Sequence, residues 1–249
     1  MTAILPPEAL ARAFALARSG PRRLLGLAGP PGAGKSTVCA ALLQALGPLA
    51  AAVPMDGFHL AQSALERLGR AQRKGAPDTF DSAGYVALLR RLHTPVAGET
   101  VYAPEFRRAI EEPIAGAIAI APGVPLVITE GNYLLMDEQD APGTHWHAVH
   151  ALLDEVWYVD MDDRLRIERL TRRHELHGRS PQAARDWVAQ VDEPNARRIA
   201  ATRGRVRRSM RRRSSMSTYQ TSSSSACTAC RSEERRVGKE CRSRWSPYH

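Results

Sequence analysis

The sequence predicts a doubly wound α/β fold, a parallel sheet with helices on both faces, and three observations predict it. Apolar runs of strand length alternate with helical stretches over about 200 of the 249 residues, the order a parallel sheet requires. The first strand-to-helix junction reads Gly29-Pro30-Pro31-Gly32-Ala33-Gly34-Lys35-Ser36-Thr37, a complete G-x-x-x-x-G-K-[ST] loop. Two further strands end in an acid, at Asp56 and at Glu130, and open parallel sheets bind ligands at the carboxyl ends of their strands.

The elements follow in order. Pro6-Pro7-Glu8 opens an amphipathic helix to about Arg18, stopped by Ser19-Gly20-Pro21 and expected against one edge of the sheet. Residues 24–28 are a short apolar strand leading into the loop. After the loop, Val38, Cys39, Ala41, Leu42, Leu43, Ala45 and Leu46 make an apolar helix that Gly47-Pro48 ends. A second strand runs to Asp56. Residues 60–94 read as interrupted helix, with a polar link at 70–81 on the substrate side. A Pro-punctuated stretch at 101–108 leads to Ile118-Ala119-Ile120, and residues 125–131 are the clearest buried strand of the chain. Another strand, 155–160, precedes Asp162-Asp163, which cap a helix at 164–176 dense in cations: Arg164, Arg166, Arg169, Arg172, Arg173 and His174. Ser180-Pro181 starts a further helix, and Asp192-Glu193-Pro194-Asn195 opens the last.

The loop carries its own chemistry. Its glycines let backbone N–H groups wrap phosphates, and the following helix adds partial positive charge at the same place. Lys35 would reach the β- and γ-phosphates, and the Ser36 hydroxyl would sit on Mg²⁺. The bare pattern arises by accident in about 1% of chains this long, so the strand before it and the helix after it carry the argument. Phosphoryl transfer to a hydroxyl also needs a base and cations to hold the moving charge. Asp56 is the candidate base. Glu130 would share the metal with Ser36, directly or through water, or contact the substrate. The arginine helix would close over the phosphates and exclude water.

Composition narrows the classes. The net charge of +9 invites a nucleic-acid reading, but residues 204–249 hold 12 Lys+Arg against 3 Asp+Glu, leaving 23 of each in the body. The neutral body argues against a specific nucleic-acid partner. Cys39 is the one cysteine before residue 204, so no disulfide framework is expected there. No apolar run nears the ~18 residues needed to span a membrane, and a cytoplasmic protein is expected.

Six stretches in order, GPPGAGKST at 29–37, MDGFH at 55–59, RKGAPDTFD at 73–81, VYAPEFRR at 101–108, VITEGNYLL at 127–135 and RLTRRH at 169–174, carry a resemblance. The chain resembles the phosphoribulokinase, uridine kinase and pantothenate kinase superfamily over residues 20–203. More narrowly it resembles bacterial nucleoside/nucleotide kinase family proteins also labelled fructose-transport-system kinases. The resemblance implies a P-loop NTPase-type sheet with a helical lid, and ATP with Mg²⁺. It puts Asp56 at the catalytic aspartate, Glu130 at the acid after the fourth-motif strand, and Arg169 with Arg173 in the lid. The Pro104-x-Phe106-x-Arg108 segment falls on the acceptor pocket and Asn195 near the adenine. Tyr102, Phe106, Arg108 and His59 are the candidate substrate contacts. The expected partner is a small hydroxyl acceptor, a sugar, nucleoside or pantothenate-like compound, and a homodimer is left open. The alternative is a regulatory NTPase without an acceptor; the separate acid at Asp56 argues against it, and no N-K-x-D element for a guanine base is present.

Residues 1–203 are therefore expected to form the kinase domain, lacking its final strand. Residues 204–249 are expected to be a basic, Ser/Arg-rich disordered tail, arising from a frameshift or foreign junction, whose end at 231–249 resembles translated adapter sequence. Cys227, Cys230 and Cys241 lack a fourth ligand at finger-like spacing and are not read as a zinc site.

Overall fold

A computed structural model describes residues 5–210 and 219–220. Helix α1 (Pro7–Ala17) leads to strand β1 (Arg23–Ala28), the phosphate loop and α2 (Lys35–Leu46). Strand β2 (Ala50–Pro54) is followed by the short helix α3 (Gln62–Arg67) and by α4 (Ser82–His93), which Asp81 caps by accepting from Gly84 N at 2.8 Å. Strands β3 (Val101–Arg107) and β4 (Glu112–Ile120) precede β5 (Leu126–Gly131), the single turn α5 (Val149–Leu152) and β6 (Glu155–Asp160). Helices α6 (Asp163–Leu176), α7 (Pro181–Trp187) and α8 (Glu193–Met210) complete the body, and β7 (Tyr219–Gln220) follows.

The main sheet has the order β2-β5-β1-β6-β7, with every pair parallel. Alternation along its strands feeds two cores. On one face Leu25 and Leu27 of β1, Leu126 and Ile128 of β5 and Trp157 of β6 pack with α1 and α2. On the other, Leu24, Val127, Val156 and Tyr158 pack with α4, α8 and the aromatic group Tyr85, Tyr133 and Trp146. Strands buried on both faces need apolar residues at every position, which is why they read as continuous runs.

Three expectations change, and a hairpin appears that no expectation from the sequence covered. Helix α1 lies on a face of the sheet beside α2, burying Ala9, Ala13, Leu16 and Ala17, with Arg12 bound to Glu155 of β6 at 2.6 Å, rather than against an edge. The Pro-punctuated stretch is an antiparallel hairpin, β3 with β4, whose register shifts between Ala103 and Glu105 next to Pro104. The boundary at 203 falls inside α8, which continues through Gly204 to Met210; Arg205 bonds the Leu135 carbonyl at 2.6 Å and pairs with Asp137 at 3.0 Å. A strand does follow it: Tyr219–Gln220 pairs with Val159 and Asp160 along β6, where none was expected. The cysteines of the tail, the Ser run at 222–225 and residues 231–249 lie outside the described residues.

A buried polar chain ties the strand ends together. Thr129 of β5 donates its hydroxyl to the Val53 carbonyl at 2.7 Å, so Tyr85 of α4 must be the donor in its 2.5 Å bond to Thr129 Oγ1. Tyr85→Phe is expected to cost about 1 kcal/mol, whereas Thr129→Val strands the buried phenol and should cost about 1–3 kcal/mol. Urea melts of the two variants check this ranking, and equal losses would contradict the chain of donors.

Candidate active site

The sheet delivers three chain segments to one place. In the parallel register Glu130 lies across from Leu27 of β1 on one side and Pro54 of β2 on the other. Beyond Leu27 comes the phosphate loop. Beyond Pro54 comes a 3-10 turn, Met55–Phe58, that presents Asp56. A cleft of ≈ 730 Å³ opens here, lined by Lys35, Ser36, Asp56 and Glu130 together with side chains from the hairpin, the 70–81 link and the lid.

Lys35 is buried, and its ammonium is turned back onto its own loop. Nζ donates to the carbonyls of Gly29 at 2.9 Å and Pro30 at 3.0 Å and to Oδ1 of Asn132 at 2.7 Å. Burial lowers its pKa to about 8, opposed by the charges of Glu130 and Asp56. Ser36 donates its hydroxyl to Glu130 Oε1 at 2.7 Å. Glu130 is pushed up from the ordinary carboxylate range, chiefly by burial and against the pull of Lys35. Two hard oxygen donors at one point, one on a carboxyl group whose charge is desolvated, fit Mg²⁺, which takes few protein oxygens and keeps phosphate and water ligands. Among the described residues no group of three or more His, Cys, Asp or Glu forms a fuller metal cage.

Asp56 faces the hairpin. Arg108 reaches its Oδ2 at 3.2 Å. The approach depends on Gly57, because a Cβ there would collide with the Pro104 carbonyl of β3. His59 closes the same wall, its ring 4.0 Å from that of Phe80 and 4.6 Å from that of Phe106 between centroids. Its Nδ1 lies 2.7 Å from the Asp56 carbonyl, which can only accept, so Nδ1 carries the proton. Burial lowers the His59 pKa, the neutral ring prevails, and Nε2 is left as an acceptor.

The lid is α6. Asp162 caps it by accepting from Arg164 N at 3.0 Å and Leu165 N at 3.3 Å. Arg169 and Arg173, one turn apart, both line the cleft. Burial and the nearby charge of Arg108 lower the pKa of Arg173, and a guanidinium remains charged nonetheless. Arg166 belongs to the interior instead, 1% exposed and paired with Asp163 and Glu193. Gly32 lets the lid seat on the loop, since a Cβ there would come 2.8 Å from Leu170 Cγ. Asn195, in the first turn of α8, also lines the cleft, behind a π-helical turn at Val188–Asp192.

Of the residues singled out from sequence, Pro31, Gly32, Gly34, Lys35, Ser36, Thr37, Asp56, His59, Phe106, Arg108, Glu130, Arg169, Arg173 and Asn195 share this cleft. Gly29, Pro30 and Ala33 are buried behind the loop's lining surface. Tyr102 stands apart from them: it is 58% exposed and is not among the residues lining the cleft. It and Phe106 are four residues apart across the register shift of β3, and Phe106 is the ring that meets His59. Sequence reasoning passed over Asn132, although it lies inside VITEGNYLL, and over Lys74, Gln62, Arg179 and Trp187. No local pattern marks Asn132 as the partner of a lysine 97 residues away.

A parallel sheet that ends in this loop, with two strand-end acids and an arginine lid around one cleft, defines a P-loop kinase. The chain belongs to the phosphoribulokinase / uridine kinase family, whose sequence model matches residues 24–202. It is 35% identical over 157 residues to the ATP-dependent kinase-like protein notR' of Aspergillus versicolor, covering 60% of this chain and 88% of that protein. It is 34% identical over 176 residues to a protein of Schizosaccharomyces pombe provisionally named uridine kinase C227.14, covering 67% and 72% respectively. A crystal structure from Silicibacter sp. TM1040, provisionally named a fructose transport system kinase, superposes with a TM-score of 0.68 at 37% identity, over 80% of this chain and 95% of that one. Among the described residues no helix is long and apolar enough to cross a membrane.

The depressed pKa of Lys35 has a measurable consequence. Phosphates brought to Nζ favour the ammonium, so nucleotide binding above pH 8 should take up a proton. At pH 8.5 the expected uptake is about 0.7 proton per nucleotide, falling towards zero by pH 6.5. Calorimetry in buffers of different ionisation enthalpy reads it, with Lys35→Arg as the reference that lacks the uptake. An equal proton count in both proteins would contradict the assignment.

Proposed function

We propose that this protein is an ATP- and Mg²⁺-dependent kinase that transfers the γ-phosphoryl group to a hydroxyl of a small metabolite. The observation that carries the reading is the placing of Asp56 in the cleft on its own strand end, paired with Arg108 and separate from the Ser36–Glu130 pair. A nucleotide hydrolase that activates only water has no use for the aromatic wall of His59, Phe80 and Phe106 beside that carboxylate.

The roles follow from the atoms. Lys35 exchanges its two loop carbonyls and Asn132 for phosphate oxygens, a swing of one side chain that the nucleotide's charge drives. Ser36 and Glu130 would hold Mg²⁺, which would supply positive charge to offset that of the phosphates. Arg169 and Arg173 approach from the lid and stabilise charge on the group in flight. Asn195 is the contact on the nucleotide's base side, by family resemblance. Arg108 orients the Asp56 carboxylate towards the acceptor. As the acceptor oxygen bonds to the γ-phosphorus, Asp56 takes its proton, and the β–γ bridging oxygen departs with the bonding pair on ADP. His59 Nε2 accepts a hydrogen bond from the acceptor, and Phe106 walls it.

Asp56→Asn is expected to keep ATP affinity within a few-fold while lowering transfer by about 10² or more, the usual scale for a lost base. Transfer that survives the change removes Asp56 from that role. ADP release measured across sugars, nucleosides and pantothenate, beside a no-acceptor control, tests the reading as a whole. Acceptor-dependent release is expected; equal release in every well, control included, would support a hydrolase.

A further inference from the structure

The acceptor end of the cleft holds a cation that the chemistry of the nucleotide leaves unexplained. Lys74, in the link between α3 and α4, lines the cleft with its Nζ 5.6 Å from the centroid of Phe106, on whose ring His59 also packs. Its hydrogen bonds go to neutral oxygens, the Glu111 carbonyl at 2.6 Å and Gln62 Oε1 at 3.5 Å. Gln62 directs that oxygen to Lys74 because its amide nitrogen is bound to Glu66 at 3.1 Å.

Three acids close in sequence or in space are otherwise engaged, and the Glu111 carboxylate forms no ion pair with Lys74 among the described residues. Asp78 pairs with Arg70 and Arg73. Glu112 accepts from the backbone N of Gln62 at 3.0 Å. Asp56 is paired with Arg108. Glu111 turns its carbonyl to Lys74 from a backbone φ of 53°, which non-glycine residues seldom adopt and which tends to be kept at functional positions. Of the three cations in the link, Arg70, Arg73 and Lys74, the two arginines share one acid and Lys74 has no ion-pair partner among the described residues. A half-buried ammonium satisfied by dipoles alone is poised for an anion.

We propose that the acceptor is a small hydroxyl compound bearing a fixed anionic group, a carboxylate or a phosphate monoester, and that Lys74 binds this group while the hydroxyl lies at Asp56. The inference rests on the kinase reading only for which hydroxyl reacts. Neutral sugars and plain nucleosides would leave the ammonium without a counter-charge, so the anionic group decides selection. Gln62 and the Glu111 carbonyl hold Lys74 in place for it and supply no charge of their own.

Binding tests this without turnover. The full chain, with Mg²⁺ and a non-hydrolysable ATP analogue, is titrated calorimetrically with D-glycerate against glycerol, ribose 5-phosphate against ribose, and pantothenate against pantothenol. At least one anionic member should bind about tenfold or more tightly than its neutral partner, the scale of a charged hydrogen bond. The pair that shows it names carboxylate or phosphate as the group. The preference should fall to within about twofold in Lys74→Gln and return in part in Lys74→Arg, which keeps the charge. Equal binding within every pair, no binding by any anionic member, or a preference that survives Lys74→Gln overturns the proposal. An intact preference without acceptor-dependent ADP release would count against the kinase reading and leave the role of Lys74 standing.

Discussion

Parallel pairing of β5 between β1 and β2 is the constraint from which the site follows. Each strand ends on the same side of the sheet, so one register line, Leu27, Glu130 and Pro54, sets the height of the phosphate loop, the Glu130 carboxylate and the turn bearing Asp56 together. A slip of one residue in β5 would turn Glu130 to the opposite face and bring Thr129 out of reach of Val53 and Tyr85. The Tyr85–Thr129–Val53 chain is buried where such a slip would leave its groups unpaired, so it resists the slip as well as bonding across the strands.

Charge in the cleft is arranged by exchange. Lys35 is buried and Glu130 half-buried; desolvation pushes each towards its neutral form, and the charge of each opposes the other's shift. Carbonyls and Asn132 hold the ammonium and the Ser36 hydroxyl holds the carboxylate; in the proposed reaction phosphate would replace the first set and a cation the second. Such placeholders cost little to displace because their dipoles are traded for full charges. The lid shows the opposite policy at Arg166, which is locked to Asp163 and Glu193 so that α6 keeps its seat while Arg169 and Arg173 face the cleft.

Much of this was legible before any coordinate. The glycines and lysine of 29–37 have one geometry that suits them, and a strand–loop–helix order leaves few alternatives. Asp56 and Glu130 could be read because strand ends are visible as apolar runs that stop at an acid. The hairpin was not legible: Pro104 and Pro113 obscure its pattern, and a two-stranded sheet covering one side of a cleft lacks the continuous burial that marks β1 or β5. For that reason Tyr102 and Phe106 could not be told apart, since only the register shift decides which ring meets His59. Helix α8 was cut at 203 because arginine-rich sequence carries little apolar period, yet Arg205 and Val206 have partners in the body that extend it.

The amino-acid sequence by itself determined the sheet, the phosphate loop, the cationic lid and the family, because these depend on local pattern: hydrophobic runs, glycines where the backbone must bend, and caps at fixed offsets. The tertiary structure decided which charges are spent and which are available. Asn132 for Lys35, Arg108 for Asp56, Asp78 for Arg70 and Arg73, and, among the described residues, no acid for Lys74 are all outcomes that depend on distance in space. Coulomb energy and desolvation fall off over a few ångströms, and separation along a chain says nothing about a few ångströms.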